Sequence, residues 1–467
     1  MKKRMAAEWE PAVGVLVAWP ASLPQALLVK LTNDTNVHFL CADEDATAEA
    51  AETLSQMGAN LENVSYLIVP KGDDSTWPRD WGPQPLFDED GNYYVIGPRY
   101  VLSTPFCGTE HEPELFCAPW GEERTPLSQF EGDTSDDLAA EAIARQLRLG
   151  YIKAPFAFTG GNVLNDGVNT ILSTEVLIAE NRFQGQSPEA YFTNVAKATG
   201  MTNYIVLSDY EHFSLNHVDC FLKPLDERRL LVVRPPKDHE LYPVYQDIVE
   251  NEIPRCTNSY GDPWEVVPVD SGVVRSGEGI AAYVNSLILN DCVYVPMYGI
   301  PEDERALQQW RDAMPGYDVQ GFTFEVADEP FAYNPDGLYG EVGWDPGDVL
   351  HCRTRAIWDP QMLHVDVPGP VGTPGAEGPV TVVANIHAYS ARPLVAEKTN
   401  LCWRVSGGEF QAVPLKPGSA HDQYAADIPA QPAGTTVEYY VECGDESGRV
   451  NTSPHGAPKQ FLSYVVA

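Results

Sequence analysis

The amino-acid sequence predicts a large α/β unit followed by a small all-β module, and three observations carry that reading. Short apolar runs recur from Val13 to Pro296, with helical patterns between them. From Asp366 to Pro379 proline and glycine dominate and no periodic pattern survives, as in a linker. Beyond that break, short alternating segments return at regular intervals, separated by turn signals. The chain has 467 residues, more than one ordinary domain needs, and its 43% of apolar residues suffices for a core in each part.

In order, the predicted strands of the first part are Val13 to Trp19, Val64 to Val69, Tyr93 to Ile96, Thr170 to Ser173, Leu230 to Val233, Ser286 to Leu289 and Cys292 to Pro296. Helical patterns cover Asp136 to Leu149, Pro188 to Thr199 and Glu302 to Ala313. Strands alternating with helices indicate an α/β domain, and periodicity alone does not choose between a sheet and a propeller. In the second part, Val380 to His387, Asn400 to Val405, Gln423 to Ile428 and Thr436 to Val441 suggest a β-sandwich of about immunoglobulin size. The expected division is therefore a catalytic unit over 1–367, a linker over 368–379 and a β-module over 380–467.

Charge narrows the partners. Thirty Lys and Arg against 67 Asp and Glu give a net charge of −37, which repels phosphate backbones and anionic lipid surfaces. Nucleic acid and membranes are thus not expected partners, whereas cationic substrates are favoured in the encounter step; solubility or a salty habitat explains the same number. Nine cysteines without a CxxC spacing suggest neither a zinc site nor a complete disulfide framework. Met1 to Met5 looks like the start of a signal peptide, but Ala6-Ala7-Glu8-Trp9-Glu10-Pro11 follows where an apolar stretch should stand. No run reaches the roughly 18 apolar residues of a membrane helix. A cytoplasmic protein is expected, or a secreted one had a leader been removed.

The chemistry-bearing segments are four. Leu350-His351-Cys352-Arg353-Thr354 offers a thiol between two cationic neighbours, which lower a thiol pKa. Trp77-Pro78-Arg79-Asp80-Trp81-Gly82-Pro83 combines an aromatic face with a carboxylate, suited to stacking and pairing with a guanidinium, at an expected strand end or loop. In Asn216-His217-Val218-Asp219-Cys220 a strand would put His217 and Asp219 on one face, the imidazole to move protons and the carboxylate to hold charge. The same pair also suits a structural hydrogen bond, and no second histidine cluster completes a metal site. Thr159-Gly160-Gly161-Asn162 with Asn165-Asp166-Gly167 is a double turn that lets the backbone approach a ligand, without the spacing of a phosphate loop. Asn285 opens a predicted strand from which it could reach a pocket. A thiol, an imidazole and two carboxylates are what attack on a guanidinium carbon requires.

In order and spacing these segments resemble the bacterial, Porphyromonas-type protein-arginine deiminases, relatives of the agmatine deiminases. The resemblance extends from Ala7-Glu8-Trp9-Glu10-Pro11 and Trp19-Pro20 through Ala313-Met314-Pro315-Gly316-Tyr317 to Val437-Glu438-Tyr439-Tyr440 and Ser447-Gly448-Arg449. It implies a five-bladed α/β propeller, the pentein fold, followed by an immunoglobulin-like β-sandwich. It further implies that Cys352 attacks the guanidinium carbon, that Asp80 and Asp219 hold its nitrogens, and that His217 protonates departing ammonia and then activates water. Asn285 would be a further catalytic polar residue, Trp77 would cover the aliphatic stem, and Asp166 would contact substrate. The implied activity is hydrolysis of arginine in proteins or peptides to citrulline and ammonia, the alternative being agmatine or free arginine. No redox or organic cofactor, no metal and no catalytic calcium is implied. Two departures bear on specificity. Members that act on C-terminal arginine hold its carboxylate with an Arg-x-Arg pair and a Tyr. This chain has Pro98-Arg99-Tyr100-Val101-Leu102-Ser103-Thr104 and Ser214 there, so a C-terminal preference is not expected unless Arg99 or Arg124 substitutes.

Overall fold

The computed structural model describes residues 3–71, 75–100, 135–183, 185–210, 217–274, 279–324, 344 and 349–467. Among the described residues the chain up to Trp358 forms five small sheets that repeat one plan: two antiparallel strands, then a third strand laid parallel to the second. In four of them the antiparallel pair is local in sequence. These pairs are Gln84–Asp88 with Tyr93–Arg99, Leu164–Asn165 with Thr170–Thr174, Leu222–Pro224 with Arg229–Arg234, and Leu287–Leu289 with Cys292–Pro296. A crossover then returns the chain to a parallel partner, respectively Gly150–Ala157, Asn203–Leu207, Glu265–Asp270 and Asp318–Phe322. Parallel pairing needs such a crossover, and helices Asp136–Gln146, Val176–Phe183 with Pro188–Thr199, Tyr242–Asp247 and Asp303–Ala313 lie in these connections.

The fifth sheet joins the two ends of this unit. Its first strand, Thr354–Trp358, runs antiparallel to Ala12–Ala18, which pairs parallel with Asn36–Cys41 and through it with Val64–Ile68. Strands covered on both faces read as unbroken apolar runs, which is why Leu230 to Val233 and Cys292 to Pro296 were legible in the sequence. The principal core runs through this unit and includes Val15, Phe39, Leu231, Tyr283, Val293 and Trp310.

Two departures from expectation concern the functional segments. Pro78–Trp81 is a short helix, with proline at its first position where a missing N–H costs nothing. The predicted strand at His217 to Asp219 is instead a 3-10 turn over Val218–Cys220 entered from extended backbone at His217. Ser214, Asn216, Arg124 and residues 101–104 lie outside the described residues.

From Leu363 onward two antiparallel sheets share a separate core of Leu363, Val365, Val382, Leu401, Val437 and Val441 among others. The strand Leu363–Pro370 pairs with Val380–Ala388, so residues 368–370 of the expected linker lie in a strand and the proline- and glycine-rich remainder turns between two strands. The module is tied to the first unit by Arg228, which donates to the carbonyls of Val367 (3.1 Å) and Pro368 (2.9 Å), and by the Arg449–Asp359 ion pair (2.7 Å). Among the described residues no helix is long and apolar enough to cross a membrane.

Candidate active site

Each sheet contributes one functional segment at the same place, the turn that enters its first strand. Pro78–Trp81 precedes Gln84–Asp88, Gly160–Asn162 precedes Leu164–Asn165, and His217 to Cys220 precedes Leu222–Pro224. Asn285 precedes Leu287–Leu289, and Leu350 to Arg353 precedes Thr354–Trp358. Sequence positions hundreds of residues apart are therefore equivalent positions of one repeat.

Hydrogen bonds link the five turns in a ring. Gly161 N–H donates to Asp80 Oδ1 (2.9 Å), and Val218 N–H donates to Asn162 Oδ1 (3.1 Å). Asn285 Nδ2 donates to the Asp219 carbonyl (3.3 Å), and His351 N–H donates to the Asn285 carbonyl (3.1 Å). Arg79 N–H closes the ring on the Cys352 carbonyl (3.2 Å). Arg79 reinforces that closure with its side chain, donating from Nε to the His351 carbonyl (3.1 Å).

Within the ring, Cys352 is 4% exposed and its Sγ accepts a hydrogen bond from Asn285 Nδ2 (3.2 Å). The orientation of that amide is fixed, because Asn285 Oδ1 receives the N–H groups of His351 (2.9 Å) and Cys352 (3.3 Å), which only the oxygen can accept. Cys352 Sγ also lies 3.8 Å from Asp219 Oδ2. The His217 ring is buried, with Nδ1 3.5 Å from Asp80 Oδ1 and with Nε2 lacking a hydrogen-bond partner among the described residues. Gly161 shows how closely these groups converge. The point where its Cβ would stand is 2.7 Å from His217 Nδ1, 2.8 Å from Asp80 Oδ1 and 3.1 Å from Asp219 Oδ2. An imidazole nitrogen and two carboxylate oxygens thus surround one point kept clear by a glycine.

The carboxylates differ in charge state. Burial pushes Asp219 upward, but its hydrogen bond to His351 and the positive charges around it hold it below its ordinary value. Glu180, on the helix Val176–Phe183, is pushed up to about 7 by burial, with the His217 ring and the Thr159 hydroxyl (3.0 Å) working in the opposite direction. No feature of the sequence singled it out.

His351 and Arg353, expected to flank the thiol as cations, turn away from it. The His351 ring lies between Asp219 Oδ2 (2.5 Å) and Glu8 Oε2 (2.8 Å), whereas Arg353 donates to the Ser22 carbonyl (2.9 Å) and stacks on Trp344. Trp77, half-buried, stands at the start of the helix that carries Asp80. Among the described residues no contact brings Asp166 to the cluster. Its Oδ1 accepts the N–H groups of Val168, Asn169 and Thr170 (3.0, 2.9 and 2.8 Å), and its Oδ2 accepts from Ser259. Its carboxylate is consumed in shaping a turn. Among the described residues no group of three or more His, Cys, Asp and Glu side chains is arranged to hold a metal ion.

Comparison with known proteins places this arrangement. The family model for Porphyromonas-type peptidyl-arginine deiminase matches residues 4–326, more than half of the chain. A putative agmatine deiminase of Enterococcus faecalis is 29% identical over 320 residues, covering 62% of this chain and 76% of that protein. A second, from Mycoplasma capricolum, is 21% identical over 360 residues, covering 68% and 89%. Among solved structures, the putative arginine deiminase from Porphyromonas gingivalis superimposes with a TM-score of 0.57 at 19% identity, over 77% of this chain and 99% of that one. The agmatine deiminase of Enterococcus faecalis gives a TM-score of 0.57 at 19% identity, over 77% and 96%. These structures share the pentein fold with the chain. The chain belongs to the Porphyromonas-type peptidyl-arginine deiminase family, and is a guanidino-group hydrolase of the pentein superfamily related to the agmatine deiminases.

Proposed function

We propose that this enzyme deiminates a small guanidino compound, agmatine or free arginine, through a covalent adduct on Cys352. The observation that carries the chemistry is the convergence of His217, Asp80 and Asp219 on one point, with Cys352 Sγ 3.8 Å from the same Asp219 oxygen. Asp80 and Asp219 bind the guanidinium nitrogens, and Trp77 covers the aliphatic stem. The Cys352 thiolate, steadied by the Asn285 amide, bonds to the guanidinium carbon. Ammonia leaves with a proton from His217, which then takes a proton from water as its oxygen bonds to the same carbon. The carbon–sulfur bond breaks as the remaining hydroxyl proton passes to solvent, leaving the ureido product and the thiolate.

The substrate preference draws on the relatives, which are named as putative agmatine deiminases. A second reading, arginine within proteins or peptides, is favoured by the family description and by the module after Leu363. In that reading, as in the first, the five sheets surround the site as the blades of a propeller and the module is an immunoglobulin-like sandwich. We place the boundary between the units at Met362. Ammonia release from agmatine, free arginine, and peptides with internal, C-terminal and amidated C-terminal arginine tests the choice. Agmatine or arginine is expected to give the highest kcat/KM. A peptide exceeding both by about tenfold, some 1.4 kcal/mol of transition-state binding, overturns the small-substrate reading in favour of the second. Preference for the free over the amidated C-terminus would show a carboxylate site that Ser214 and the missing Arg-x-Arg do not suggest.

A further inference from the structure

We infer that His351 is a positioning residue, a clamp that holds the Asp219 carboxylate in place for the substrate guanidinium and is itself held by Glu8. The inference rests on the proposed role of Asp219. Its basis is geometric. The His351 ring is fully buried and both nitrogens meet carboxylate oxygens, Nδ1 at Asp219 Oδ2 (2.5 Å) and Nε2 at Glu8 Oε2 (2.8 Å). Glu8 is anchored in turn by buried Lys223, which donates to both of its oxygens (3.0 and 2.9 Å), and by the N–H of Ile288 (2.9 Å). Lys223 also donates to the Ser286 carbonyl (2.6 Å). One chain of contacts therefore connects the N-terminal segment, the strand Leu222–Pro224, the strand Leu287–Leu289 and the catalytic turn to a single substrate-facing oxygen.

Proton accounting sharpens the assignment. A neutral imidazole has one N–H, so two carboxylates at hydrogen-bond distance leave a lone pair against an anion unless a further proton resides in the chain. Burial works against charge on Glu8, but His351 and Lys223 hold it well below its ordinary value, and Asp219 is held low as well. Burial and the Arg79 charge lower His351 as well, against Glu8 and the hydrogen bond to Asp219. The clamp assigns the N–H to Nδ1, which faces the Asp219 oxygen 3.8 Å from the Cys352 thiol at the shorter of the two distances, 2.5 Å against 2.8 Å.

Two substitutions separate a clamp from simple packing. The amide nitrogen of Asn falls near Nδ1 of a histidine, and that of Gln near Nε2. In the Cys352→Ala background, which cannot turn over, agmatine binding is measured by calorimetry across pH. His351→Gln is expected to weaken binding by about tenfold or more, the loss of one charged hydrogen bond, and to move its acidic limit to higher pH as Asp219 becomes easier to protonate. His351→Asn is expected to bind several-fold tighter than His351→Gln, roughly half a decade or more. Equal binding by the two variants, or an unmoved acidic limit in His351→Gln, overturns the clamp. Nitrogen-15 spectra of histidine-labelled protein give a ligand-free readout, with the His351 signals assigned by their loss in His351→Asn. A proton on Nδ1 is expected, and its absence at neutral pH overturns the inference. Failure of the wild-type enzyme to release ammonia from every guanidino substrate would instead remove the functional reading, while the spectra still decide the clamp.

Discussion

Replacing Gly161 by alanine puts a methyl group where the substrate-binding atoms meet. Its Cβ would stand 2.7 Å from His217 Nδ1, 2.8 Å from Asp80 Oδ1 and 3.1 Å from Asp219 Oδ2, all side-chain atoms and none of them backbone. The backbone there is not in the left-handed region, so alanine is tolerated, and loss of chain freedom in the unfolded state offsets about 0.4–1 kcal/mol of crowding. The fold should survive while the carboxylates are displaced. Losing two charged contacts at about 1.5–3 kcal/mol each corresponds to roughly 10²- to 10⁴-fold in kcat/KM. Gly160 is the contrast, since a Cβ there would meet the Arg79 carbonyl at 1.8 Å, and backbone cannot yield. Gly160→Ala should therefore lower the melting temperature sharply, whereas Gly161→Ala should melt within a few degrees of wild type, ~1 kcal/mol, and be nearly inactive. Ammonia release with agmatine and thermal unfolding of both variants decide the matter. A Gly161→Ala enzyme within about threefold of wild-type kcat/KM would refute the convergence on which the site is built.

Other outcomes follow from the same geometry. Burial pushes Glu180 up to about 7 in the fold from its ordinary 4.5, so ionising it above pH 7 costs the native state about 3 kcal/mol that is absent below the lower value. Glu180→Gln should accordingly gain stability over wild type as pH rises from 5 to 8 in denaturant titrations, with no gain at the acidic end. Asp166→Ala leaves three backbone N–H groups without their acceptor, and should cost about 2–4 kcal/mol of stability while KM for agmatine changes little; a large KM effect at unchanged stability would restore the substrate contact expected from the sequence. A fragment ending at Met362 should be more soluble than one ending at Pro370, because the longer one exposes Leu363, Val365 and Val367 without their core; gel filtration of the two fragments tests the boundary.

The strands of the first unit were legible because they are buried on both faces, as at Thr170–Thr174, and those of the second because one face is buried, as the strict alternation at Val380–Ala388 shows. The turns between them were not, since they are shaped by partners far away in sequence. His217 to Asp219 reads as a strand by alternation, yet Val218 N–H is taken by Asn162 Oδ1 and not by a neighbouring strand. Leu363–Pro370 was hidden by its composition. Pro368 is accommodated where the register shifts between Asp366 and Gly369, on the edge strand of its sheet, a position that needs no donor from proline. The segments bearing Cys352, His217, Asp219, Asp80 and Asn285 stood out as motifs, and the structure brings those residues into one ring. Glu180 and Glu8 did not stand out, because a carboxylate becomes significant only through what it is buried against. Asp166 lies in a turn whose own N–H groups take its Oδ1 as acceptor, a use its motif also allows.

The central claim is a guanidino carbon bonded to Cys352, and rapid quench of the enzyme with agmatine or arginine followed by peptide mass analysis observes it directly. The expected result is an adduct equal to substrate less ammonia on the peptide containing Cys352, absent from Cys352→Ala, which should release no ammonia above background. Turnover by Cys352→Ala, or an adduct on another cysteine such as Cys220, whose Sγ lies 3.7 Å from Asp219 Oδ1, would contradict the account.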